Sequence, residues 1–198
     1  MTVRPDDDPV AVLQRWYHDA QRRLGEQGDA IVLATASSSA VPSARVVLCR
    51  DIDDDGALTF YTSYSSRKGF ELAENPNASA VFFWWALDRQ VRVEGRVATA
   101  AREVSDAYWA SRPRESQISA WASPQSVAIR DRDELVRRVE ETRARYEGKE
   151  IPRPRHWGGF VLRSRAIEFW SRGEARLHER VRFERDADDG WRGSILGP

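Results

Sequence analysis

Apolar residues recur at Val12, Leu13, Trp16, Tyr17 and Ala20, a helical spacing, behind Asp8 as an N-cap and Pro9 in the first turn. The chain therefore opens with a helix over residues 9–24. The period then changes to two. Residues 30–36, 43–50 and 57–64 are short β-rich runs separated by Ser37-Ser38-Ser39 and Asp53-Asp54-Asp55-Gly56, which reads as an antiparallel meander. Residues 66–75 form a short helix that stops at Asn75-Pro76, because the residue before proline is pushed out of the α region. Strands are expected again at 78–85 and 89–98, and helices at 102–111 and 131–146, the latter with a sparse stripe of Leu135, Val139 and Tyr146 on a charged surface. After Pro152 and Pro154 the alternation returns at 157–163, 166–170, 179–185 and 191–196, with Asp188-Asp189-Gly190 as a hairpin turn. Antiparallel strands with helices inserted between them favour a mainly β, closed or half-open barrel with peripheral helices over a doubly wound nucleotide fold.

Bulk properties narrow the function more than the fold. The 198 residues suit one domain, residues 1–198, with residues 1–8 expected to be flexible. Basic and acidic residues number 31 each, so no whole-molecule field draws the chain to nucleic acid or an anionic membrane, and any anion site must be local. Cys49 is the only cysteine and lies in an apolar run, which excludes an internal disulfide and fits a small core side chain in a reducing compartment. No apolar run approaches membrane length, and the acidic start is unlike a signal peptide, so a soluble, cytoplasmic protein is expected. Three histidines, none at metal-ligand spacing, argue against a zinc site.

Candidate chemistry is concentrated in basic clusters. Between Trp170 and Arg180, Arg176, His178 and Arg180 alternate and would share one face of a strand; they suit an anionic aromatic ligand or an ordinary solvated edge. Arg67-Lys68 follows the Tyr64-Ser65-Ser66 turn at a helix start, where free N–H groups and the helix dipole favour phosphate, although a solvent-facing start is also consistent. Tyr108, Arg112 and Ser116 stand at four-residue steps and would align on one helical face, with Pro113 interrupting. Arg45 and Arg50, five apart on a strand, should point to opposite faces and not serve one pocket by direction alone. Arg89 with Arg92, and Arg112 with Arg114, complete the clusters, while Gln90 and Gln125-Ser126 offer neutral donors and acceptors for a heterocycle edge.

In combination, Arg45-Val-Val-Leu, Phe60-Tyr-Thr, Ser66-Arg-Lys-Gly, Asp88-Arg-Gln-Val, Ser111-Arg-Pro-Arg-Glu-Ser-Gln, Ala120-Trp-Ala-Ser-Pro-Gln-Ser, His156-Trp-Gly-Gly-Phe, Glu168-Phe-Trp and Arg176-Leu-His-Glu-Arg occur in the order found in pyridoxamine 5′-phosphate oxidases. The chain resembles that family from about Pro9 onward. The resemblance implies an FMN-binding split barrel acting as a homodimer, with flavin at the subunit interface. It implies that FMN contacts Arg45, Val46, Tyr61, Thr62, Arg67, Lys68, Gln90, Gln125, Ser126, Trp170 and Arg180, with Arg67 and Lys68 on the flavin phosphate. The substrate phosphate would meet Arg50, Tyr108, Arg112 and Ser116, and Arg176 and His178 would lie over the pyridine ring as the catalytic pair. The implied reaction is oxidation of pyridoxamine or pyridoxine 5′-phosphate to pyridoxal 5′-phosphate, by hydride transfer from C4′ to flavin N5 and reduction of O2 to H2O2.

Three departures bear on the substrate. Arg50 replaces the family's usual lysine, and a planar fork is not interchangeable with an ammonium. The N-terminus lacks the basic, tyrosine-bearing segment that folds over substrate in many relatives, and Ile195-Leu196-Gly197-Pro198 replaces the usual Arg-Leu-x-Pro ending. The alternatives are a phenazine-forming flavin oxidase acting on a dihydrophenazine carboxylate, and a non-catalytic barrel that binds flavin or pyridoxal phosphate. Tyr108, Arg112 and Ser116 favour the vitamin B6 phosphate; Arg176 and His178 favour an enzyme.

Overall fold

The computed structural model describes residues 2–198. In chain order the elements are α1 (Pro9–Leu24), β1 (Ala30–Ala36), β2 (Pro42–Ile52), β3 (Leu58–Ser63), α2 (Arg67–Glu74), β4 (Asn77–Trp84), β5 (Arg89–Thr99), α3 (Arg102–Ser111), α4 (Arg114–Ala122), α5 (Arg132–Arg145), β6 (Trp157–Ser171), β7 (Glu179–Arg185) and β8 (Trp191–Ile195). The strands are antiparallel and ordered β3-β2-β1-β4-β5-β6-β7-β8, and β3 also pairs with β6. Strands β1 to β6 therefore close into a barrel, and β7 and β8 continue outward from β6.

Closure depends on the length of β6. Its first half, Trp157–Leu162, pairs with β3, its second half, Ala166–Ser171, pairs with β7, and β5 runs beside both. The sequence pattern predicts two strands here, 157–163 and 166–170; the structure has one. Glu94 lies opposite Ala166 and Gly95 opposite Ser164, so Arg165 is an extra residue in the ladder. The break in alternation is a β-bulge, not a gap.

The barrel fills because inward positions alternate with outward ones. Ile31 and Leu33 on β1, Phe82 and Trp84 on β4, Val91 and Val93 on β5, and Ile167 and Phe169 on β6 are all buried. Helix α1 adds Val12, Leu13, Trp16 and Tyr17 to the same core, with Trp16 edge-on to Phe169 at 5.3 Å. Burial of side chains this size contributes ~2 kcal/mol each. The helix starts as expected, with the Asp8 carboxylate accepting from the Val10 N–H at 2.9 Å. Val3, within the segment expected to be flexible, joins this core at 6% exposure, and Met1 lies outside the described residues.

A second, smaller core of Trp109, Ile118, Ile151 and Trp157 packs α3 and α4 onto the barrel beside β3 and β6. Helix α4 is absent from the sequence expectations. Pro113 occupies its N-cap position, so this proline both ends α3 and precedes a new helix. Among the described residues no helix is long and apolar enough to cross a membrane.

Candidate active site

A cleft of about 840 Å3 opens between the outer side of β2, the end of β3, the start of α2 and the α3–α4 junction. Arg45, Val46, Arg50, Tyr61, Thr62, Arg67, Lys68, Tyr108, Arg112, Ser116, Gln125 and Ser126 all line it. Two cationic groups stand in its wall.

The first is built on the β3–α2 turn. The Ser66 hydroxyl caps α2 by accepting from the Gly69 N–H at 3.3 Å, and it donates to the Ser63 carbonyl at 2.7 Å. Lys68 is buried at 6% exposure, and its Nζ donates to Thr62 Oγ1 at 3.2 Å, Ser66 Oγ at 3.1 Å and Gln125 Oε1 at 3.3 Å. None of these acceptors is a carboxylate. Burial, reinforced by the nearby Arg45 charge and opposed by Glu71, pushes the Lys68 ammonium down to about 8. A buried cation held only by neutral oxygens is a site that an anion completes.

Arg45 and Arg67 flank it, and both lean on one carboxylate. Glu71 accepts from Arg67 Nε at 2.8 Å, Arg45 Nη2 at 3.1 Å and Ser43 Oγ at 2.6 Å, and Thr35 Oγ1 also donates to it. Burial raises the Glu71 carboxyl, but the four hydrogen bonds overcome that and hold it at about 2. Glu71 therefore fixes the orientation of two arginines while remaining ionised.

The second group comprises Arg50, Tyr108, Arg112 and Ser116. The expectation that Arg45 and Arg50 cannot share a pocket is corrected: both line the cleft, because Cys49 pairs with Phe60 and Asp51 with Thr59, leaving Arg50 as the extra residue of a bulge. The bulge resets the alternation on which that expectation rested. The single helical face for Tyr108, Arg112 and Ser116 is likewise corrected. Arg112 is extended (φ −71°, ψ 143°) between α3 and α4, as the residue before proline should be, and the break brings the three side chains to one cleft from two helices.

Aromatic rings join the two groups. Tyr61 stacks on Tyr108 at 3.7 Å and lies 5.9 Å from Trp157. Gly159, opposite Tyr61 in the β3–β6 ladder, makes room, since a Cβ there would meet the Tyr61 ring at 3.0 Å. Burial, and then Tyr108, push the Tyr61 phenol up. The Arg112 guanidinium sits 4.5 Å from the Trp157 ring and 5.4 Å from that of Trp109, and its buried Nη1 has no hydrogen-bond partner. Burial and the neighbouring Arg50 charge lower its pKa. Here too a guanidinium lacks its anion.

Gln90, Trp170, Arg176, His178 and Arg180 do not line this cleft. Gln90 pairs with Phe83 and Trp170, and Trp170 pairs with Arg180, so these four side chains form one row across β4, β5, β6 and β7. Arg180 is held by Glu168 through Nε at 3.0 Å and Nη2 at 2.8 Å, and its Nη1 donates to the Gly197 carbonyl at 2.9 Å. His178 lies tilted against Trp170 with ring centroids 4.7 Å apart, and its Nδ1 accepts from the Gly173 N–H at 3.3 Å, which leaves the proton of the neutral ring on Nε2. Arg176 is exposed, with a left-handed backbone (φ 66°) following another at Ala175 (φ 48°). Arg89 and Arg92 serve structure: Arg89 pairs with Asp19 over Trp16, and Arg92 pairs with Glu94 and Glu168. Arg114 ties α4 to the carbonyls of Tyr146 and Lys149.

Sequence reasoning passed over the carboxylates that hold these arginines: Glu71, Glu168 and Asp29, which pairs with Arg50 at 3.0 Å. For Glu71 a signal existed, its i+4 spacing from Arg67; the other two pairings cross the sheet.

Residues 17–146 match the family model described as pyridoxamine 5′-phosphate oxidase, and residues 157–198 match that of the pyridoxine 5′-phosphate oxidase C-terminal dimerisation region. A pyridoxine/pyridoxamine 5′-phosphate oxidase of Cupriavidus pinatubonensis is 46% identical over 191 residues, covering 96% of this chain and 89% of the relative. One from Rubrobacter xylanophilus is 46% identical over 193 residues, covering 98% and 88%. Among solved structures, PhzG from Burkholderia lata, in complex with tetrahydrophenazine-1-carboxylic acid, superposes with a TM-score of 0.90 at 34% identity over 98% of this chain and 94% of its own. A pyridoxamine 5′-phosphate oxidase-related, FMN-binding protein of Nostoc punctiforme shares the fold at a TM-score of 0.77 and 15% identity, covering 98% of this chain and all of its own.

Proposed function

The chain belongs to the pyridoxamine 5′-phosphate oxidase family, and we propose on that premise that the cleft binds FMN and a phosphorylated pyridine together. One observation carries this: two cations line the same cleft without a counter-ion among the described residues, Lys68, which is buried, and Arg112, half-buried with its Nη1 buried and unpartnered. Lys68, Arg67 and Arg45 would hold the flavin phosphate at the start of α2, with Thr62, Gln125 and Ser126 beside them. Arg50, Tyr108, Arg112 and Ser116 would hold the substrate phosphate. Two guanidiniums, a phenol and a hydroxyl supply more donors than the single carboxylate of a tetrahydrophenazine acid needs, which favours pyridoxine or pyridoxamine 5′-phosphate as substrate.

The remaining residues would come from a second copy. The outer surface of β1, β2 and β4 exposes Val32, Val46 and Phe83 at 40, 64 and 52%, and Trp85, in the turn just after β4, is 64% exposed. This apolar face borders the cleft at Val46 and runs through Phe83 into the row of Gln90, Trp170 and Arg180. Face-to-face pairing in a homodimer would bring the partner subunit's row, with the partner's Arg176 and the partner's His178, to each cleft. The matched dimerisation region contains Trp170, Arg176, His178 and Arg180.

The chemistry that bound FMN would supply is a two-electron oxidation at substrate C4′, with O2 as the final electron acceptor and H2O2 as the by-product. The protein aligns and excludes water. Clamping the phosphate at the α3–α4 junction fixes the ring at a distance from its anchor, so binding energy is spent on orientation. Arg176 would pair with the substrate's polar substituent, and His178 would present its Nε2 proton as a donor, the Gly173 N–H occupying Nδ1. The lone, buried Cys49 suits a reducing cytoplasm.

The test is to purify the protein, record its flavin spectrum, and measure H2O2 release with pyridoxine 5′-phosphate and with a dihydrophenazine carboxylate. Flavin binding with turnover of the phosphate is expected. Turnover of the phenazine alone would overturn the substrate, and bound flavin with neither turnover would overturn the oxidase.

A further inference from the structure

Arg50 is the one cation of the substrate group with a carboxylate behind it. Its Nη1 donates to Asp29 Oδ2 at 3.0 Å, and its other guanidinium nitrogens have no partner among the described residues. Asp29 is 8% exposed and does not line the cleft, whereas Arg50 does. The carboxylate is itself held from helix α1. Gln21 Nε2 donates to Asp29 Oδ1 at 2.9 Å, and the Tyr17 hydroxyl lies 3.2 Å from the same oxygen. Tyr17 is at the same time 3.0 Å from the Cys49 carbonyl, so it pins the backbone immediately before the bulged Arg50.

The arrangement differs in kind from that around Lys68. An ammonium attracts phosphate from any side, so it needs no edge orientation. A guanidinium binds phosphate well only when one planar edge faces it. A flexible arginine on a bulged strand would lose rotamer freedom at each binding event. Asp29 removes that cost by ordering Arg50 as the chain folds.

We propose that Asp29, held by Tyr17 and Gln21, is a positioning residue for the substrate phosphate: it grips one edge of Arg50 and turns the opposite edge into the cleft. This rests on the reading of Arg50 as a phosphate ligand. Asp29 also carries a negative charge near the substrate phosphate, but the guanidinium stands between that charge and the cleft. Orientation, rather than repulsion, sets the sign of the effect.

The experiment measures KM and kcat of the FMN-loaded enzyme for pyridoxine 5′-phosphate in a double-mutant cycle. The isosteric Asp29→Asn is expected to raise KM about tenfold with kcat within about twofold, since a misaimed binding group costs ground-state affinity before chemistry. Arg50→Ala is expected to raise KM at least as much, and Asp29→Asn added to Arg50→Ala to change nothing further. Gln21→Leu, which loosens the carboxylate without removing it, gives a smaller rise in the same direction and serves if Asp29→Asn fails to fold. An equal KM rise from Asp29→Asn in both backgrounds would mean that Asp29 acts through the fold, and a KM left unchanged by Asp29→Asn in the enzyme that retains Arg50 would also overturn the proposal. If Arg50→Ala itself leaves KM unchanged while the wild type turns over the substrate, the phosphate-ligand reading of Arg50 fails instead.

Discussion

Lys68, as the proposed ligand of the flavin phosphate, should make the acquisition of FMN pH-dependent. Its pKa in the folded apoprotein, about 8, lies below the ordinary 10.5, so the unfolded chain binds more protons between those values. Burying Lys68 therefore destabilises the apoprotein below pH 8, and the penalty fades as pH rises toward 10.5. Binding a phosphate reverses the preference and demands the charged form. FMN affinity should thus be flat from pH 7 to 8 and weaken above, by at most about tenfold per pH unit, the phosphate staying dianionic throughout. Fluorescence titration checks this, and Lys68→Met should bind more weakly with a flat profile; a flat wild-type profile would show that Lys68 does not meet the phosphate. Glu71 runs the other way. Its carboxyl, lowered from 4.5 to about 2, contributes stability that is complete above pH 4.5 and lost as pH falls toward 2. The contribution is at most about 3 kcal/mol. Glu71→Gln should lower Tm at pH 7, narrow its difference from wild type at pH 3, and release FMN more readily because Arg45 and Arg67 lose their shared anchor.

Among the elements, α1, β1, α3 and β7 occur where the periodicity places them, because each has one buried face and a plain cap or turn at its ends. The misreadings fall where the chain departs from a simple period. At Arg50 and Arg165 a single extra residue resets the alternation, and pattern alone does not distinguish a bulge from a strand end. At Pro113 one residue both ends α3 and opens α4, whose apolar positions are too few to announce a helix. The side chains of the cleft were nevertheless legible as chemistry, since cationic and hydroxyl residues clustered in sequence. Their carboxylate anchors were not, because pairings such as Arg50 with Asp29 join distant strands and helices. Pro113 also has a measurable role. It keeps Arg112 extended, so Pro113→Ala should let Arg112 sample helical angles and raise KM for the phosphorylated substrate by about three- to tenfold, with flavin retained. Steady-state kinetics beside a flavin spectrum would show it, and an unchanged KM would mean that the flanking Trp109 and Trp157 suffice to hold the guanidinium.

For the whole molecule, the division of expected site residues between the cleft and the β4–β7 row makes a prediction that a self-contained site would not share. Arg112→Ala and Arg176→Ala should each be nearly inactive, Arg176→Ala with flavin still bound. Refolded together, they form mixed dimers in which one site collects both substitutions and the other neither. Recovery of about a quarter of wild-type activity is expected from random pairing. No recovery on mixing would mean that each chain uses its own Arg176. Both halves of that arrangement hang on β6, whose first half closes the barrel at β3 while its second carries Trp170 toward the row. The exposed Arg165 between them is a spacer whose presence matters more than its side chain: exchanged for almost any residue, it would go unnoticed, yet deleted, it would place Ala166 directly after Ser164, erase the bulge and remove the local bend and twist that sets the two halves at an angle. Across descent, then, the quantity most strictly inherited along β6 is a count of residues, and lineages of this chain should be free to respell the middle of that strand but not to shorten it.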